Sequence, residues 1–212
     1  MMNSLEVLLI MKKMITNRDK KVITFIHNTN MIFTIRQIAD IFYKTGNSNS
    51  SYVIATRRLK VIRDLGYLKM TDKIIGAPSI YYIDKMPKKY EHKLLMSEFL
   101  RMLSINGFNI IDVKIEYQGF RKYELVPDMR VIVEYNKEKY VMFVEVDLTK
   151  PFTVEDKYYK VFKSMKNLRE QIPHSALLIS VSDKKFETTK VNPIRLSTDY
   201  SDFNKLLWKF VH

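Results

Sequence analysis

Three acidic residues stand where a phosphodiester-cleaving centre would need them. Val126-Pro-Asp128 opens an apolar stretch, and seventeen residues after Asp128 comes Glu145, within Val144-Glu-Val-Asp147. Carboxylates from neighbouring strands can converge on one Mg²⁺ or Mn²⁺, hard ions that take oxygen ligands and water in octahedral geometry. Such an ion activates a water and stabilises the charge that grows on a phosphodiester under attack. Glu145 and Asp147 are two residues apart, so in a strand they share one face while Val144 and Val146 take the other. Carboxylates in so apolar a segment are costly to bury without a cation or hydrogen bonds. Asp128 reaches the same place from the start of the adjacent strand, and Glu98, on the preceding helix, is a candidate fourth oxygen.

Where the usual nuclease motif carries a lysine, two residues after the glutamate, this chain has Asp147. Lys157 or Lys160, on the next helix, can replace that ammonium beside the scissile phosphate; Lys157 is the first choice. The competing structural reading is a carboxylate cluster salt-bridged to Lys157, Lys160 or Arg130, with no catalysis.

Positioning these groups takes a sheet with helices. Periodicity predicts a helix over 90–105, stopped by Gly107, then strands over 108–115, 125–135 and 140–148, with Asn136-Lys-Glu-Lys139 as the hairpin turn. Thr153 and Asp156 predict the cap of a helix that runs to about Arg169. Ala176 to Ser182 reads as a buried fourth strand, and a last helix over 199–211 carries the only tryptophan, Trp208. Helix, strand, hairpin, helix, strand is the order of a restriction-endonuclease-like core.

The first half reads differently. Helices are expected over 17–28, from Thr34 with Gln37 in a capping box, and over 50–65 ending at Gly66. Two short strands, 67–70 and 79–83, flank turn material at Gly76-Ala-Pro78. Three helices and a hairpin follow the winged helix-turn-helix order, in which a helix enters the major groove and reads base edges. Ser50, Ser51, Tyr52, Thr56 and Arg57 are placed nearest the bases; Lys60, Arg63 and Lys73 suit phosphates. Winged helices also mediate protein contacts, which is the alternative here.

The charge supports that division. The net charge is +13, and residues 1–89 hold 16 Lys and Arg against 6 Asp and Glu. A cationic first half suggests a polyanion-binding module, although abundant Lys, Ile and Asn also mark AT-rich genomes. The domains are set at 1–86 and 87–212, giving an α+β or α/β chain. There are no cysteines, so thiolate metal sites and cysteine nucleophiles are excluded, and a reducing cytoplasm is expected. No apolar run is long enough for a membrane span. Met1 to Met14 reads as an extra packing helix or a dimerisation arm and not as a signal peptide.

Taken together, Arg18-Asp-Lys-Lys-Val-Ile23, Arg57-Arg-Leu-Lys-Val-Ile-Arg-Asp-Leu-Gly-Tyr-Leu68, Glu91-His92, Pro127-Asp128, Phe143-Val-Glu-Val-Asp147 and Lys157-Tyr-Tyr159 resemble the replication-relaxation family. That family includes MobC-type plasmid mobilisation relaxases, which join a winged helix to a restriction-endonuclease-like domain. The resemblance covers roughly residues 16–182, and the family's version also carries the aspartate at 147. It departs after Asp147, where the family usually has an Arg-Gly turn and this chain has Leu148-Thr-Lys-Pro151.

The resemblance implies plasmid, phage or integrative-element biology at an origin of replication or transfer. The partners would be double-stranded DNA, a second copy in a homodimer, and replication or transfer proteins. The residues leave two functions open: Mg²⁺- or Mn²⁺-dependent nicking of one strand, or non-catalytic origin binding by a degenerate nuclease fold. Other chemistries find less support. The four histidines, His27, His92, His174 and His212, form no His-x-His pair, and the five glycines form no phosphate loop. Tyr158 and Tyr159 read as packing or backbone-binding residues in preference to nucleophiles.

Overall fold

The structure is a computed structural model that describes residues 14–71, 77–166 and 176–210, the side chains of 165 and 166 excepted. The Met1–Met14 segment up to residue 13, Lys73, Gly76, His174 and His212 lie outside the described residues. The chain is α+β and divides into two compact units, Met1–Arg101 and Met102–His212.

In the first unit α1 (Asn17–Thr29) starts at a capping box: Thr16 accepts from the Asp19 amide, and the Asp19 carboxylate accepts from the Thr16 amide. The expected box at Thr34 and Gln37 opens α2 (Ile35–Phe42) in the same way. Each box satisfies two amides that a helix end would otherwise leave without acceptors. Next is α3 (Ser48–Asp64), capped by the Asn47 side chain, which accepts from the Asn49 and Ser50 amides. Gly66 follows at φ +79°, the left-handed geometry that a helix stop favours. Val22, Ile26, Ile38, Ala39, Ala55, Leu59 and Ile62 are wholly buried and form the core of the three helices.

The two expected strands pair as β2 (Lys69–Met70) and β3 (Ile80–Tyr82), antiparallel. A strand not anticipated, β1 (Phe33–Thr34), pairs with β3 on its other side, giving the order β1-β3-β2. Two residues carry too little pattern to reveal a strand.

The helix expected over 90–105 is α4 (Tyr90–Ile105), with Gly107 at φ +89°. The division of the chain falls inside α4, later than the boundary read at 86. The reason is polar tethering: Lys93 donates to the Asn30 carbonyl, Ser97 to that of Ile32, and Arg101 pairs with Asp40.

In the second unit five strands form one mixed sheet in sequential order: β4 (Asn109–Ile115), β5 (Met129–Tyr135), β6 (Glu138–Val146), β7 (Ala176–Val181) and β8 (Ile194–Leu196). β4, β5 and β6 are antiparallel; β7 and β8 run parallel to β6 and to each other. The β5–β6 turn is the two residues Asn136 and Lys137, both at positive φ (52° and 67°), matching the twist of a tight hairpin. The stretch before β5 holds a short 3-10 helix, Gln118–Tyr123, so the strand starts at Met129 and not at 125.

Two further expectations are corrected. The helix after the hairpin, α5 (Glu155–Lys166), starts beyond Thr153: the first helical bond runs from the Tyr158 amide to the Val154 carbonyl. β8 was not anticipated, its three residues again too short to show alternation. The helix expected over 199–211 reduces to one turn, α6 (Asn204–Leu207), and a 3-10 turn, Trp208–Phe210; Trp208 is exposed. Ser197 and Asp199 to Asp202 bond one another locally instead, as short polar side chains do when they compete with helix.

β6 is buried on both faces. Phe143 joins Phe120, Leu125, Phe152, Tyr158, Val161 and Leu178 in a cluster beneath α5, while Met142, Val144 and Val146 are buried on the opposite side. Among the described residues no helix is long and apolar enough to cross a membrane.

Candidate functional site

Glu145 lies on the α5 side of β6, one alternation beyond Phe143, at the strand's C-terminal end. β5 runs antiparallel beside it with Met129 opposite Val144, so Asp128, just before β5, comes next to Glu145. The Asp128 carboxylate is fixed there by the Val146 amide, which donates to Oδ2 at 2.8 Å. Glu145 Oε1 accepts the Tyr158 hydroxyl of α5 at 2.7 Å. Asp147 follows the strand's last residue, its amide donating to the Val181 carbonyl and its carbonyl accepting from Ser182 Oγ.

The electrostatics show how close these groups are. Burial, then the negative charge of Asp128, push the Glu145 carboxyl up from its ordinary 4.5 to about 8; the Tyr158 hydroxyl opposes the rise, while Asp147 and a hydrogen bond with the Asp128 carboxyl add to it. Two carboxyl groups crowded in an apolar setting cannot both ionise cheaply. The Tyr158 phenol is driven far up by burial and by Glu145, and it is fully buried. It therefore acts as a hydrogen-bond donor to Glu145 and is unsuited to be a nucleophile.

The rest of the expected set is placed differently. Glu98 is engaged within the first unit: Oε1 accepts from Arg101 Nε (2.8 Å) and Oε2 from Gln37 Nε2 (3.0 Å). Lys157 donates Nζ to the Glu124 carbonyl at 2.8 Å. Arg130, offered as a structural partner for the acidic cluster, pairs with Asp112 and stacks over Tyr117. Among the described residues no three His, Cys, Asp or Glu side chains are grouped so that they could hold a metal ion. What converges is a pair, Asp128 and Glu145, with the charge of Asp147 nearby.

One residue of this site escaped the sequence reading. Ser180 is the register partner of Glu145 across the parallel β6–β7 pair. It is 1% exposed, and its Oγ has no hydrogen-bond partner among the described residues. The signal was present as a lone serine in the apolar run Ala176-Leu-Leu-Ile-Ser-Val181.

A second surface lies on α3. Asn49, Ser50, Tyr52, Val53, Thr56, Arg57 and Lys60 are exposed along it. Arg36 extends this surface, donating to Ser48 Oγ (2.8 Å) and stacking over the Tyr52 ring. Ser51 is a correction: it is buried, bonding Thr45 and the Asn47 carbonyl, because it falls on the helix face that carries Ala55 and Leu59. Arg63 pairs with its neighbour Asp64. No family model, no curated protein and no solved structure matches the chain.

Proposed function

We propose that the chain is a DNA-binding protein of a plasmid, phage or integrative element. In this reading it grips duplex through a winged-helix first unit and nicks one strand with a divalent cation held by a nuclease-like second unit. It acts at an origin of replication or transfer, as the replication-relaxation resemblance implies. The observation that carries the reading is the meeting of Asp128 and Glu145 from adjacent strands, where burial and then the Asp128 charge raise the Glu145 carboxyl to about 8. A cation in place of the shared proton would relieve that repulsion.

The donor set suits Mg²⁺ or Mn²⁺ in particular. Mg²⁺ is commonly held by one or two carboxylates plus substrate phosphates while keeping several waters, so a carboxylate pair suffices. When bound, the ion supplies Lewis-acid stabilisation and a nucleophilic water. The chain's residues do the positioning: the Val146 amide aims Asp128, and the Tyr158 hydroxyl aims Glu145. Asp147 adds negative potential. The α3 surface, with Tyr52, Thr56, Arg57 and Lys60, supplies groove and phosphate contacts.

A second reading, a non-catalytic origin-binding or regulatory protein, draws on Lys157, whose ammonium is held by the Glu124 carbonyl. One experiment separates the two. A site is first selected from random duplexes, then placed in a supercoiled plasmid that is incubated with the protein and Mn²⁺. Nicked circles that disappear in Glu145→Ala, with duplex affinity kept, support the first reading. Tight binding without nicking supports the second, and no duplex binding at low salt removes both.

A further inference from the structure

A fully buried hydroxyl with no protein partner is an expensive choice at a strand position. Burying a polar group without a hydrogen bond costs free energy, and native structures avoid it. An alanine at 180 would fit the same space without the penalty, and the rest of β7 is Ala, Leu, Ile and Val. The cost falls beside the carboxylates. Ser180 and Glu145 are directly paired across parallel strands, and paired residues there project from the same face of the sheet. The sequence Asp128, Glu145, Ser180 therefore runs from the start of β5 across β6 and β7 as one row of polar residues, bordered on β6 and β7 by the buried Phe143 and Leu178.

We propose that Ser180 is a positioning residue of this site: its hydroxyl, here without a hydrogen-bond partner among the described residues, donates to the Glu145 carboxylate once that group takes the cation, as a second donor beside Tyr158. The inference rests on the reading that Asp128 and Glu145 take a divalent ion. A carboxylate with one donor can still rotate about that bond; a second donor from the neighbouring strand fixes its plane. Groups that orient a ligand in this way typically change metal affinity by about 10–100-fold when removed. Ser180 touches neither substrate nor reacting atoms in this role.

The test uses the full chain and MnCl₂ alone, titrated calorimetrically at pH 7.5, with thermal melting of each variant. Ser180→Ala should weaken Mn²⁺ binding about tenfold while the apo protein melts no lower than the parent, since a buried hydroxyl without a partner has been removed. Ser180→Thr, which keeps the hydroxyl, should bind Mn²⁺ within about threefold of the parent. A Ser180→Ala chain that folds and binds Mn²⁺ like the parent overturns the role of Ser180 and leaves the cation reading standing. A parent chain that binds no Mn²⁺ overturns both. A Ser180→Ala chain that melts well below the parent, with Mn²⁺ affinity lost only in proportion, shows a packing residue and also overturns the proposal.

Discussion

Two acids, a fully buried one in the first unit and a half-buried one in the second, are treated in opposite ways. Asp19 is fully buried in the first unit, yet every group around it favours its charge: the Arg58 guanidinium at 2.5 Å, the Tyr43 hydroxyl at 2.6 Å and the Thr16 amide. Burial works to raise its pKa, but Arg58, Tyr43 and Thr16 together hold it below the ordinary value. Glu145 has burial and two further carboxylates against it, with only the Tyr158 hydroxyl in its favour, and its carboxyl rises to about 8. An acid whose partners are complete holds a fold together. An acid set among like charges instead keeps its proton to higher pH, and perturbed groups of that kind concentrate at functional sites.

The contrast can be broken first at Asp19. Asp19→Ala leaves the Arg58 guanidinium and the Tyr43 hydroxyl without their acceptor, and is expected to cost about 3–5 kcal/mol, read from urea unfolding midpoints. Glu145→Gln should cost little stability in the same assay. If the two variants lose equal stability, the distinction between a structural acid and one set among like charges fails.

The next effect is on activity. Glu145→Ala should reduce Mn²⁺-dependent nicking by about a hundredfold or more, because losing a ligand exceeds the usual loss from an orienting group. Duplex affinity, measured by fluorescence anisotropy, should stay unchanged, since the expected groove contacts lie on α3.

pH sharpens the comparison. Glu145 has a raised pKa, so the folded state keeps its proton longer than the unfolded chain. The associated stability is whole below 4.5 and is lost as pH rises toward about 8. Asp19 has a lowered pKa, so its contribution is present above 3.8 and is lost only as pH falls through its folded value. Stability should therefore decline between pH 6 and 8, by about 2 kcal/mol. Glu145→Gln should flatten that decline, and saturating Mn²⁺ should reverse it at pH 8. A decline that persists in Glu145→Gln would assign it to other groups.

The smallest effect is expected on α3. Lys60→Ala should weaken duplex binding a few-fold and reduce the slope of log affinity against log salt by about 0.9, the share of one phosphate contact. An unchanged slope would move the DNA surface away from this helix.

Much of this arrangement was legible locally. The capping box at Thr34 and Gln37, the stop at Gly66 and the 90–105 helix depend on residues within a few positions of each other, so the chain declares them without its fold. Short strands such as Phe33–Thr34 and Ile194–Leu196 were not legible, because they exist only through a partner strand. Ser51 was misplaced by a single helical step, enough to turn a side chain from solvent to core.

The sequence by itself determined that acidic residues at 128, 145 and 147 lie in or beside strands, with Glu145 on the face opposite Val144 and Val146, since strand alternation is a property of neighbours along the chain. Only the tertiary structure decided which of them meet. The antiparallel register of β5 on β6 brings Asp128 to Glu145, α5 lays Tyr158 over it, and the parallel pairing of β7 sets Ser180 alongside. The same packing gave Glu98 to Gln37 and Lys157 to the Glu124 carbonyl. Spacing limits which faces residues can share; register and helix placement choose their partners, and those choices arise from long-range contacts that no local pattern records.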